Sequence, residues 1–216
     1  SEEFNLRISG RSYEEIADLG GGILSSIQNV RMVNEKKLFE KSLKRTNLFL
    51  KNGTTRIEAK SGYGLTTDDE LKSLRVIKRI NEVSKLDLIA TFMGAHAFPP
   101  EFKNNHDDYI DLICNEMLPT IARERIAEYC DVFCEKGYFS VIECRKILKL
   151  AQNLGMKVRI HADEFQDSGA AELAAELGAV TADHLMVTSD EGIQAMANKG
   201  VIATLLPGTT LFLGKQ

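Results

Sequence analysis

Short β-branched runs alternate with longer stretches of helical apolar spacing, which predicts an α/β fold built on a parallel sheet. The form predicted is an incomplete (β/α)8 TIM-like barrel with about six of eight βα units. Three observations carry this. The alternation starts near residue 34 and is not interrupted. The last helices are short and joined by tight turns, which suits the outer ring of a barrel. The chain has 216 residues, a little short of the roughly 250 typical of a closed barrel. Residues 1–216 are read as one partial barrel domain.

The first helix runs from Asn34, a suitable N-cap, to about Leu50, with Leu38, Leu43 and Leu48 near one face and Gly53 as the stop. A strand follows at Thr54–Ala59. Thr67 and Glu70 have the spacing of a capping box and open a helix to about Ser84. The next strand is Leu86–Phe92. After a loop with Pro99-Pro100 and a polar run at Lys103–Asp108, a helix spans about Asp107–Ala127, with a break expected near Pro119. Then come strand Cys130–Cys134, helix Val141–Leu154, strand Lys157–His161, helix Gly169–Leu177, strand Val180–Asp183, helix Asp190–Lys199 and strand Val201–Leu205. A doubly wound sheet also fits six strands, and it predicts a glycine-rich phosphate loop after the first of them. The loop there, Lys60-Ser61-Gly62-Tyr63-Gly64, contains neither GxGxxG nor GxxxxGK[ST]. Gly20-Gly21-Gly22 reads as a flexible turn more readily than as an anion cradle.

Composition narrows the functional classes. A net charge of −4, with both signs mixed along the chain, offers no basic stripe for nucleic acid and no polybasic face for a membrane. No apolar run approaches 18 residues, and the polar, acidic start is unlike a signal peptide. A soluble cytoplasmic protein is expected. Four cysteines without a CxxC pair are too sparse for a disulfide framework and read as reduced core thiols.

Barrel chemistry sits at the carboxyl ends of the strands. Those ends carry Lys60 and Tyr63, then His96, Glu135, His161 with Asp163 and Glu164, His184, and Thr209 and Thr210. Three of the four histidines fall on this rim, while His106 lies in a polar loop. His161 has the chemistry of a metal ligand, and a packed, hydrogen-bonded histidine is its plainer reading. Glu164 has the chemistry of a proton shuttle beside a metal, against that of a helix N-terminal acid. His184 suits the stabilisation of charge at a reacting carbonyl, with Asp183 available to orient its ring. Tyr63, between two glycines, and His96 suit substrate contacts.

These positions sit in longer strings. Ile57-Glu58-Ala59-Lys60-Ser61-Gly62-Tyr63-Gly64-Leu65, Thr91-Phe92-Met93-Gly94-Ala95-His96-Ala97, Ile160-His161-Ala162-Asp163-Glu164, Ala182-Asp183-His184-Leu185 and Leu205-Leu206-Pro207-Gly208-Thr209-Thr210 resemble, in order, segments of the imidazolonepropionase family. Gly20 to Ser25 resembles a further one. The resemblance implies a barrel of the metal-dependent amidohydrolase type. It implies hydrolysis of the small-molecule substrate 4-imidazolone-5-propanoate to N-formimidoyl-L-glutamate, using one divalent or transition metal ion, zinc or iron, and a homodimer. Carried over by motif, His161 is a metal ligand, Glu164 and His184 are catalytic, and Tyr63, His96 and Glu164 bind substrate. The family's HxH pair, the arginine that follows it and the last-strand aspartate have no counterpart in these residues, so an internal piece of a longer protein is expected. Two other readings share the strand-end histidines. One is another amidohydrolase of the nucleobase-deaminase kind, and the other is an inactive barrel fragment serving as a structural or interaction module.

Overall fold

The computed structural model describes residues 9–10 and 23–213; Gly20-Gly21-Gly22 lies outside the described residues. The elements in order are α1 (Ile23–Met32), α2 (Glu35–Lys51), β1 (Arg56–Lys60), α3 (Thr67–Val83), β2 (Asp87–Ala95), a 3-10 turn (Pro100–Phe102), α4 (His106–Leu112), a π-helical turn (Ile113–Met117), α5 (Leu118–Glu124), β3 (Tyr129–Cys134), α6 (Val141–Asn153), β4 (Lys157–Ala162), α7 (Ala170–Leu177), β5 (Thr181–His184), α8 (Asp190–Lys199), β6 (Ile202–Thr204) and α9 (Pro207–Leu213). The six strands form one parallel sheet in sequence order. That order is the path of a barrel wall and excludes a doubly wound sheet, whose order reverses at a switch point.

The sheet is curled into a half-barrel. Four strand spacings of about 4.8 Å would set β1 and β5 about 19 Å apart in a flat sheet. Lys60 on β1 nevertheless reaches to 3.4 Å from Asp183 on β5. Strand register sorts the side chains by face. Glu58, Lys60, Thr91, Asp131, Arg159, His161, Thr181 and Asp183 share the concave side. On the convex side Phe92, Cys130, Val132, Val158, Ile160 and Ala182 pack into one core with helix residues such as Leu74, Ile77, Ile147, Leu148 and Leu173. Each such aliphatic or aromatic side chain contributes roughly 1.5–3 kcal/mol on burial. All four cysteines are free and buried.

Local chemistry departs from expectation at three places. The helix expected from about Asp107 to Ala127 is continuous in direction but passes through the π-helical turn just before Pro119. Proline has no N–H for an i→i−4 bond, and the wider π spacing takes up that break without ending the helix. Arg125, at φ 51°, ends it. After β6 the chain forms α9 at the Pro207-Gly208 stop.

The third departure is Glu70. Thr66, not Thr67, caps α3, its hydroxyl accepting from the Asp69 N–H at 3.2 Å. Glu70 is 0% exposed and turns inward instead of completing a capping box. Its carboxylate accepts the backbone N–H groups of Gly62 at 2.8 Å, Gly64 at 2.8 Å and Leu65 at 3.0 Å. The loop carrying Tyr63 is thus wrapped around a buried anion. Gly62 is required there: its φ is +97°, and a Cβ would stand 2.7 Å from the Met93 carbonyl oxygen. Glu70→Ala would orphan three buried donors, each costing roughly 1–3 kcal/mol. Denaturant titration should show a loss of about 3–5 kcal/mol for Glu70→Ala, with Glu70→Gln losing less because its carbonyl still accepts.

Candidate active site

The ends of β1 to β5 converge on a cleft of about 260 Å³ lined by Tyr63, His96, Phe133, His161, Glu164 and His184, with Thr209 and Phe212 of α9 at its margin. Every rim residue expected to bind, catalyse or ligate is in it. His96 follows β2, its Nδ1 3.0 Å from the Gly62 carbonyl oxygen. Its ring meets Tyr63 edge-on at 5.0 Å between centroids and stands 6.3 Å from the ring of His161. The rings of His161 and His184 are 5.1 Å apart. His184 Nδ1 lies 3.5 Å from Glu164 Oε1.

The backbone that presents these groups is held in uncommon conformations. His184 and Leu185 have consecutive positive φ angles of 77° and 54°, and Asp163 has 49°. Such non-glycine positions cost about 1–3 kcal/mol each and persist only where the surroundings over-determine them. Here two strand-end acids do so. Asp163, fully buried, accepts the N–H groups of Ser168 at 3.1 Å, Ala170 at 3.3 Å and Ala171 at 3.2 Å, and the Thr188 hydroxyl at 3.2 Å. Glu135, at the end of the neighbouring strand β3, accepts the Phe165 N–H at 2.8 Å. Asp163 ties the segment after Glu164 to the start of α7, and Glu135 fixes the residue that follows Glu164. His106 lies away from the cleft, starting α4 and stacked on Phe98 at 3.6 Å.

Burial tunes the titrating groups. It lowers His96 to about 4, against the opposing pull of the Gly62 carbonyl. It lowers His184 to about 4 as well, helped by neighbouring His161. It raises Glu164 to about 6, with His161 opposing and Glu135 adding to the rise. The Tyr63 phenol is also raised by burial. Neutral imidazoles therefore face a carboxyl group poised to exchange a proton near neutrality.

Asp183 is a correction. It was expected to orient His184, but it faces Lys60 on the concave side, and its Oδ1 is buried without a hydrogen-bond partner among the described residues. Asp131 was missed, being read as part of an apolar strand. It is 0% exposed and contacts both Lys60 Nζ and His161 Nδ1, the latter at 3.1 Å. Burial alone would raise its carboxyl; His161 and Lys60 override that and hold it well below the usual carboxylate range. The signal in the sequence was an acid at the centre of a strand two residues before Phe133, on the face that also carries Arg159 and His161.

Asp131, His161 and Asp183 each bring a ligand atom within 4.8 Å of the other two. A metal ion fits at His161 with Asp183 nearby, while Asp131 is itself taken up by His161 Nδ1 and the Lys60 ammonium. The carboxylate on His161 Nδ1 is the outer partner typical of a ligating imidazole, and the Asp183 Oδ1 atom is an orphaned buried acceptor.

No family model matches the chain. It is 52% identical over all 216 of its residues to the imidazolonepropionase of Clostridium tetani, covering 51% of that protein. It is 50% identical over 211 residues, 98% of the chain, to that of Brevibacillus brevis, covering 50% of it. A 5-methylcytosine deaminase from Klebsiella pneumoniae liganded with 5-fluorocytosine superposes with a TM-score of 0.68 over 88% of this chain and 48% of that one; at 18% identity it shares the fold alone. The chain spans about half the length of the curated relatives it matches. Identity at this level, unbroken from one end to the other, makes the chain homologous along its entire length to about half of an imidazolonepropionase.

Proposed function

We propose that this chain is the catalytic core of an enzyme that hydrolyses the ring amide of 4-imidazolone-5-propanoate to N-formimidoyl-L-glutamate, in the breakdown of histidine. The observation that supports it best is the meeting in one cleft of Tyr63, His96, His161, Glu164 and His184, which come from four different strand ends. Relatives at about half identity carry the name of that activity, which favours it over a nucleobase deaminase, whose likeness is one of fold.

His161 would hold the metal, zinc or iron, with Asp183 Oδ1 within reach and the remaining donors coming from the HxH pair and last-strand aspartate of the family pattern. When bound, the ion supplies Lewis-acid polarisation and a water of lowered pKa. The chain's own residues do the rest. Glu164 takes a proton from the attacking water as the oxygen adds to the ring carbonyl carbon. His184, kept neutral by burial, offers an N–H to the oxyanion that develops. Glu164 then returns the proton to the ring nitrogen as the C–N bond breaks. Tyr63 and His96 hold the substrate. The same reading includes a homodimer and a cytoplasmic setting. Among the described residues, no helix is long and apolar enough to cross a membrane.

In the full-length protein, Glu164→Gln should lower turnover by about 10²–10⁴-fold while substrate still binds, the range of a lost general base. Steady-state release of N-formimidoyl-L-glutamate, with binding followed separately, checks this. Unchanged turnover would remove Glu164 from the reaction.

Acid stability gives a second test on the chain alone, in chelator. His96 and His184 fall from 6.5 to about 4 on folding. Between those values the unfolded chain binds more protons, so stability is lost as pH drops from 6.5 to 4. Glu164 rises from 4.5 to about 6 and runs the other way, its contribution weakening as pH rises through that interval. Denaturation from pH 4 to 7 should therefore show a net loss toward acid. His184→Gln should flatten that slope by close to one proton, and Glu164→Gln should steepen it. Parallel curves for both variants and the parent chain would contradict the assignment.

A further inference from the structure

We propose that Asp131 is a positioning residue for His161: its buried carboxylate holds the imidazole in the Nδ1–H tautomer and leaves Nε2 as the ring's lone-pair nitrogen. The inference deepens the function proposed above. Asp131 occupies the third position of β3, directly across from Arg159 on β4, and His161 is the next residue of β4 on the same face. His161 Nδ1 lies 3.1 Å from Asp131, the one hydrogen bond recorded for that ring among the described residues. An ionised carboxylate only accepts, so the shared proton belongs to the ring nitrogen.

Asp131 is fully buried, and beside the His161 ring the Lys60 ammonium is its second partner. The ammonium contacts Asp131 Oδ2 and lies 3.2 Å from Glu58 and 3.4 Å from Asp183. Arg159 adds a second cation, 3.2 Å from Glu58 and stacked 4.2 Å over the Tyr129 ring. Three carboxylates and two cations thus line the concave face, and His161 meets this network through one nitrogen only. Histidine in water favours the opposite tautomer, with the proton on Nε2. A ring in that form would present an N–H, not a lone pair, to anything bound in the cleft. The hydrogen bond at one ring nitrogen decides the chemistry of the other.

The test reads the ring nitrogens of His161 by ¹⁵N-edited NMR on the metal-free 216-residue chain at pH 8, with its signals identified by their loss in His161→Gln. In the parent chain, Nδ1 should carry the proton and Nε2 should show the shift of an unprotonated ring nitrogen. Asp131→Leu alone would leave the Lys60 ammonium short of a partner, so the informative variant is Lys60→Met with Asp131→Leu. Removing both charges together is milder than breaking the pair: Glu58 keeps Arg159 at 3.2 Å, and the one carboxylate that loses a cation is Asp183, 3.4 Å from Lys60. In that double variant the proton should move to Nε2, or the two tautomers should average. A proton on Nε2 in the parent chain, or an Nδ1–H signature that survives in the folded double variant, would overturn the proposal. A structural role in packing alone would not move these signals. Neither metal nor turnover enters the measurement, so its failure would leave the hydrolase reading intact, and an inactive full-length enzyme would leave the tautomer result standing.

Discussion

The Lys60 ammonium is the tie on which the concave face depends. It belongs to β1 and touches acids on β3 and β5, so it draws together strands that a flat sheet would hold far apart. A parallel sheet needs both faces covered, and here the inner face is covered by charge pairing, not by a second layer of helices. Removing one charge from such a buried network is costly, roughly 3–5 kcal/mol, whereas a matched apolar replacement is often tolerated. The network therefore reads as a device that fixes where the strand ends point more than as a source of net stability.

A similar economy runs through the rim. Glu70, Asp163 and Glu135 are all buried carboxylates that accept backbone N–H groups from loops or, for Asp163, also from the first turn of α7. Each braces the segment that presents one side chain of the cleft: Tyr63 in the first case, Glu164 in the other two. Rigid loops on a strand scaffold are what allow positive φ angles at Asp163 and His184 to persist. Precision at the site is thus carried by acids that do no chemistry themselves.

How much of this was legible in the sequence follows from the range of the interactions. Strands and helices from β3 onward were readable because the period switches between two and 3.6, and helix α8 was read at its full length, Asp190–Lys199. The cleft residues were readable because barrel topology puts every strand's carboxyl end on one rim. Glu70 and Asp131 were not. Each obeys a local rule when taken alone, a capping box in one case and an apolar strand in the other. Their real partners lie on other strands or in a preceding loop, and only the curl brings them together. Asp183 failed for the same reason: adjacency in the chain pointed to His184, while alternation along a strand sends neighbours to opposite faces. The π-helical turn was half legible, since Pro119 announced a disturbance but not its kind.

That turn constrains how this stretch of chain can change length. A π-helical turn is an α-helix holding one extra residue, and each residue of an α-helix advances the azimuth by about 100°. Deleting any one residue between Ile113 and Met117 would restore regular winding at the expense of rotating everything before or after it by that angle. Met117, fully buried, sits where its sulfur would lie 3.3 Å from a Cβ on Gly94, whose carbonyl oxygen accepts the Tyr109 hydroxyl at 2.8 Å. Tyr109 lies in α4 ahead of the turn and Met117 closes the turn, and both face Gly94 of β2, two residues before His96. The phase slip therefore sets which side chains this helical path turns toward β2. A shortened variant would have to give up one anchorage or the other.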